Sequence, residues 1–120
     1  MSRAATGISR AGVRATTGPE TPFRIASLTK VVTGAALVRA LGVPLDTPAV
    51  SLLPELAADW SCDRGITVEH LLAQVAGLRE AVDASTVAAL GDGPDALLEA
   101  ARLVVRAGSD RAPGARWSYY

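Results

Sequence analysis

Apolar residues recur with a helical period in three stretches of the chain, and a strand period is weak throughout. The first stretch is "SLTKVVTGAALVRAL", in which Val31, Val32, Ala35, Ala36, Leu37 and Val38 leave almost no polar face. Ser27 is a good N-terminal residue for it, and Gly42 followed by Pro44 is a stop. A helix apolar nearly all round is normally buried, so this is the predicted central helix. The second stretch, "TVEHLLAQVAG", reads as a short helix with Thr67 at the N-cap, Glu69 in the first turn and Gly77 past the end. The third, "GPDALLEAARLVVRAG", carries the clearest pattern. Pro94 takes its first position, Leu97, Leu98, Ala101, Val104 and Val105 form one stripe, and Gly108 follows.

The remaining segments are less regular. Residues 1 to 22 are rich in Gly, Thr and Arg; "ISRAGVRATTG" reads as a weak strand pair turning near Gly12, and "GPETP" as a loop. "LDTPAVSLLPEL" is a loop with one helical turn between Pro48 and Pro54. The tail "DRAPGARWSYY" opens as a turn and ends in a strand-like or irregular aromatic run. The predicted chain is mostly helical.

With 49% apolar residues in 120, a real core is available for one domain at most. Twelve basic and twelve acidic side chains cancel, so no bulk field draws nucleic acid or an anionic membrane. One cysteine and one histidine, Cys62 and His70, exclude an intrachain disulfide and a multi-ligand soft-metal site. Cys62 is expected to be inert. No segment reads as a signal peptide, and the longest apolar run is too short to span a bilayer and is broken by Arg39. Compartment and oligomeric state stay open.

Charge composition raises one chemical question: eleven of the twelve basic residues are arginines, and the single lysine, Lys30, stands three positions after Ser27. Residues three apart on a helix lie about 300° apart, hence about 60° around the axis, so the two side chains share a face. That makes a nucleophile and base pair if the lysine gives up its proton. A free lysine titrates near about 10.4, and apolar surroundings or a helix N-terminus disfavour its charged form. Backbone N–H groups at the helix start would then serve a developing oxyanion. Arginine cannot replace lysine here, because it stays protonated. The same tetrad also fits a capping serine beside a lysine that extends along the helix to water.

The letters around the tetrad narrow the choice. "TPFRIASLTKVVTGAALV" closely resembles the active-site segment of the serine β-lactamase, DD-peptidase and esterase superfamily, particularly its class C-like branch. In the order that family shows, "GVPLDTPAVSLLPEL" resembles its L-D-x-P-V…LP stretch, "ITVEHLLAQVAGLRE" its ITV-x-HLL-x-x-x-SGL segment, and "PGARWSYY" the approach to its Tyr-x-Asn motif. The resemblance covers about residues 15 to 120.

It implies an α+β fold of the β-lactamase/transpeptidase type, an antiparallel sheet flanked by helices plus a helical region. This chain would be a mostly helical fragment of it, residues 1–120 forming a partial domain that stops at the Tyr-x-Asn motif. It implies a serine hydrolase working through an acyl-enzyme on a β-lactam, a D-Ala-D-Ala peptide or a simple ester, with no metal or organic cofactor. Ser27 matches the acylated nucleophile, Lys30 its proton partner, and Tyr119 the tyrosine that shares the base role and protonates the leaving group. Tyr120 falls at the variable middle position of the motif, and Tyr119 also fits an ordinary aromatic packing on Trp117. His70 in this segment is expected to be structural, Glu69 a helix-end charge and Asp63 a loop residue.

The match departs in three places. The asparagine after Tyr120 and the Lys/His-x-Gly motif are not in these 120 residues, and Ala76 stands where the family usually has the serine of SGL. Residues 1 to 20 are also shorter than the family's upstream strand pair and helix. As a fragment, the chain is expected to expose one face of the serine helix and to be a poor enzyme or none. The alternatives are a non-catalytic homologue or binding module that keeps the family scaffold, and an unrelated small helical interaction protein.

Overall fold

Local rules account for most of the chain's elements. The computed structural model describes the backbone of residues 5–8 and 14–119 and the side chains of residues 18–119. It divides into two units, Met1–Ala35 and Ala36–Tyr120.

In the first unit, β1 (Ala5–Ile8) and β2 (Arg14–Thr17) pair antiparallel, with Ala5 opposite Thr17 and Ile8 opposite Arg14. This ribbon is the one sheet among the described residues. Its second strand falls in the stretch from Ile8 to Gly18 predicted as a strand pair, but its first strand lies before that stretch except for Ile8, and the predicted turn near Gly12 is outside the described residues. A turn closes behind it, where Thr21 N–H donates to Gly18 O at 3.1 Å and Gly18 N–H donates to Thr21 Oγ1 at 2.9 Å. A 3-10 turn over Ala26–Leu28 then leads into α1 (Thr29–Leu41), which continues into the second unit.

The central-helix prediction is corrected here. No residue of α1 is buried, and Val31 and Val32 are 71% and 64% exposed. Its apolar positions point all round the axis, and none of them is buried among the described residues, so exposure goes beyond the single face expected of a fragment. Ser27 does not cap this segment either: Ile25 holds the N-cap of the 3-10 turn and contributes no side-chain cap.

The second unit carries the core. After Gly42, whose φ of +61° ends α1, come α2 (Ala49–Leu52), a 3-10 turn at Pro54–Leu56, α3 (Val68–Leu72), α4 (Ala84–Leu90) and α5 (Ala96–Ala107). Ala49, Leu56, Trp60, Cys62, Ile66, Ala76 and Val105 are buried together, with Leu53, Leu98 and Ala101 packed on them. Each fully buried aliphatic side chain in such a cluster contributes about 1.5–3 kcal/mol. Leu98, Ala101 and Val105 are the face that α5 presents to this core, whereas Leu97, predicted in the same stripe, is 83% exposed. One residue is about 100° of rotation, enough to carry Leu97 off the face. Pro94 also falls before α5, with Asp95 at the N-cap.

Loop 59–63 is fastened across α5. Arg106 Nη2 and Nε donate to Asp59 Oδ1 at 2.8 and 3.0 Å, and Ser61 N–H donates to Val105 O at 3.0 Å. The Cys62 thiol is buried against Val105 O at 3.3 Å, and burial pushes its pKa up, which fits the inert role expected of it.

The helix α4 was not predicted. "ASTVAAL" has no apolar stripe, but its start is capped: Asp83 Oδ1 accepts from Thr86 N–H at 2.7 Å. Hydrogen bonds from the Thr86 N–H, the Thr86 hydroxyl and the Ser85 hydroxyl hold the Asp83 carboxyl down to about 2. A depressed carboxyl supports the fold above its unfolded value of about 3.9 and ceases to as pH falls through the folded value. Between about pH 4 and pH 2 the α4 N-terminus is therefore expected to fray, seen as exchange broadening of the Thr86 amide by NMR. An Asp83→Asn variant, which keeps an acceptor but does not titrate, is expected to remove that step. An Asp83 midpoint near 4 would contradict the cap.

Candidate active site

A positive backbone angle precedes the serine. Ala26 sits at φ +46° and turns the chain into the 3-10 turn that carries Ser27. For a residue with a Cβ this conformation costs of order 1–3 kcal/mol, and such strain is typical of positions held for a purpose. Sequence gave no signal of it, since alanine is not a residue that marks left-handed backbone.

Past that turn, Lys30 Nζ donates to Ser27 Oγ at 3.0 Å. The spacing-based expectation that the two side chains meet one turn apart is thus what the structure shows. Both residues are exposed, in keeping with the exposure of the serine helix expected of a fragment, and apolar surroundings that would favour an uncharged amine are not supplied within the described residues. Two amides of the same turn are engaged internally: Leu28 N–H donates to Ile25 O, and Thr29 N–H to the carbonyls of Ala26 and Ser27. These two are therefore not aimed at an incoming oxyanion.

Tyr119 belongs to the second unit and is described there. Its ring stacks on Trp117, centroids 6.3 Å apart and planes 14° apart, so the packing role that sequence left open is real. The tail that carries it runs irregularly after Ala107, as expected, and is stitched to the loop after α3. Asp110 N–H donates to Gly77 O at 3.0 Å, Gly114 N–H to Val75 O at 2.8 Å and Ser118 N–H to Gln74 O at 3.2 Å. Arg111 Nη1 donates to Ser118 Oγ at 2.8 Å.

That stitching corrects the predicted end of the second helix. α3 stops at Leu72, not at Gly77, because Gln74 turns to φ +58° and its carbonyl serves Ser118. Gly77, at φ +71°, instead lies against Arg111, whose carbonyl a Cβ would strike. Ala76, in the position of the family's usual serine, is a buried member of the core.

His70 forms a capping box with Thr67. Thr67 Oγ1 accepts from His70 N–H at 3.2 Å, and His70 Nδ1 accepts from Thr67 N–H at 3.2 Å. This is a structural role, as expected. Asp63 holds its own loop through Gly65 N–H at 2.7 Å, and Glu69 lies in the first turn of α3. Among the described residues no helix is long and apolar enough to cross a membrane, and no group of three or more His, Cys, Asp or Glu side chains is placed to hold a metal ion.

Comparison with known proteins adds one finding to this geometry. No curated protein and no solved structure gives a significant match. A family model described as Beta-lactamase matches residues 3–120, which takes in the Ser27–Lys30 turn, the α3 segment and the aromatic tail. Nearly the whole sequence fits that one pattern, and the chain belongs to the Beta-lactamase family.

Proposed function

We propose that the chain is a serine hydrolase acting through an acyl-enzyme on an amide or ester, whether a β-lactam, a D-Ala-D-Ala peptide or a simple ester. The observation that carries this reading is the 3.0 Å contact between Lys30 Nζ and Ser27 Oγ. Once the amine has lost a proton, the same contact reverses: the hydroxyl donates and the nitrogen accepts. Ser27 Oγ then attacks the carbonyl carbon while Lys30 takes its proton. The C–N or C–O bond breaks, and the leaving group takes a proton from Tyr119, which is made good by the proton that Lys30 took from Ser27. Water next adds to the acyl-Ser27 ester and releases the acid, returning the proton to Ser27. The route draws on these side chains alone and calls on no metal or organic cofactor.

In this reading the fold is the α+β type of the β-lactamases and transpeptidases, and residues 1–120 form a partial domain holding chiefly its helical region. Exposure of Lys30 and of α1 supports a slow catalyst. Desolvation around the pair is weak, so turnover falls below the median of about 10 s⁻¹ for enzymes. The same exposure favours a second reading, a non-catalytic homologue that keeps the scaffold and binds without turnover.

Steady-state hydrolysis of a chromogenic cephalosporin, an acyl-D-Ala-D-Ala peptide and a p-nitrophenyl ester separates the two. At least one is expected to be hydrolysed, with a loss of about 1,000-fold in Ser27→Ala. Equal turnover by Ser27→Ala would exclude the acyl-enzyme.

A further inference from the structure

The aromatic tail is held by a device that neither the Ser27–Lys30 pair nor the family match explains. Arg111 is fixed at three points of its guanidinium: Nε and Nη2 grip the Asp110 carboxylate at 3.0 and 3.2 Å, and Nη1 reaches Ser118 Oγ at 2.8 Å. Its backbone is wedged against Gly77, where no side chain fits. The Asp110 carboxyl is held below its ordinary range, chiefly by its hydrogen bonds from Arg111. Ser118 is anchored a second time through its N–H to Gln74 O.

Ser118 is held at both its hydroxyl and its N–H, and the rings of its two neighbours, Trp117 and Tyr119, stack on each other, so pinning Ser118 pins the arrangement of the residues on either side of it. We infer that Arg111 is a positioning residue for Tyr119: acting through the Ser118 hydroxyl, it fixes where the phenol is held. The inference rests on the acyl-enzyme reading for the use made of that phenol, while the geometry of the latch stands on its own contacts.

A lysine in place of Arg111 keeps the charge but cannot grip a carboxylate with two nitrogens while donating to Ser118 with a third. Threonine at Ser118 keeps the hydroxyl, and alanine removes it. The test uses the whole chain with Tyr120→Phe, leaving Tyr119 as its single tyrosine, and three readouts. These are the part of the near-UV circular dichroism lost on Trp117→Phe, the rate at which a β-lactam acylates Ser27 as followed by intact mass, and the thermal midpoint as a check on folding.

Arg111→Lys and Ser118→Ala are each expected to halve the Trp117-dependent dichroism and to slow acylation about tenfold. Ser118→Thr is expected to hold both within twofold. In a Tyr119→Phe background, Arg111→Lys is expected to slow acylation by less than twofold further, because the residue it aims is already gone. Unchanged dichroism in both Arg111→Lys and Ser118→Ala would overturn the inference. So would a tenfold loss of rate that persists without the Tyr119 hydroxyl. If Tyr119→Phe by itself acylates at the parent rate, the tyrosine's role in the acyl-enzyme reading fails, and the dichroism still decides the latch separately.

Discussion

Replacing Lys30 with methionine is expected to slow acylation of Ser27 about 1,000-fold, within the range lost when a general base is removed. Methionine keeps the unbranched stem on an exposed face of α1, so the helix has no packing to lose there. What disappears is the nitrogen 3.0 Å from the hydroxyl. Arginine at the same position separates two explanations. It restores the positive charge and the reach but remains protonated, so it cannot take the hydroxyl proton. Lys30→Arg is therefore expected to be as slow as Lys30→Met in a time course of fluorophosphonate labelling. A Lys30→Arg rate above one tenth of the parent would show that the charge alone suffices and that the base role is wrong.

Gly77→Ala carries the largest expected cost in stability, about 2–4 kcal/mol, or a fall of about 10–20 °C in thermal midpoint. Two effects add. The φ of +71° is unfavourable for any residue with a Cβ, and the new atom would meet the carbonyl of Arg111, which is backbone and cannot simply rotate away. Gly42 supplies the comparison, since its φ is +61° but nothing lies within 4 Å of an added Cβ. Gly42→Ala is expected to cost only about 1 kcal/mol, the conformational part alone. Equal melting losses in the two variants would mean that the contact between residues 77 and 111 is not tight in solution. The substitution at residue 77 also displaces the backbone of the Arg111 latch, so it is expected to weaken the Trp117–Tyr119 stack as well.

Part of what neighbours in sequence decide could be read from the sequence, although the Asp83 cap that starts α4 was not. Ser27 and Lys30 meet because three-residue spacing brings them together without help from the rest of the fold. Thr67 capped α3 as expected, and the stripe of α5 was right at Leu98, Ala101 and Val105. Features decided by distant contacts were missed. The end of α3 is set by Gln74, which turns to accept Ser118 from forty-four positions along the chain. The Arg111–Ser118 bond leaves no mark in periodicity, and Ala26 conceals its positive φ behind an ordinary side chain. The burial of α1 was misjudged for a related reason. Apolar content says that a helix gains by burial, but only a stripe or a partner provides the surface that buries it.

Covalent capture of Ser27 tests the proposal most directly. The 120-residue chain is incubated with a fluorophosphonate and, in parallel, with a β-lactam, then weighed intact and mapped by peptide fragmentation. One adduct per chain on the Ser27 hydroxyl, forming slowly in the parent and not at all in Ser27→Ala, is the expected result. A chain that stays unmodified with both reagents, or one whose label lies on another residue and survives Ser27→Ala, would contradict it.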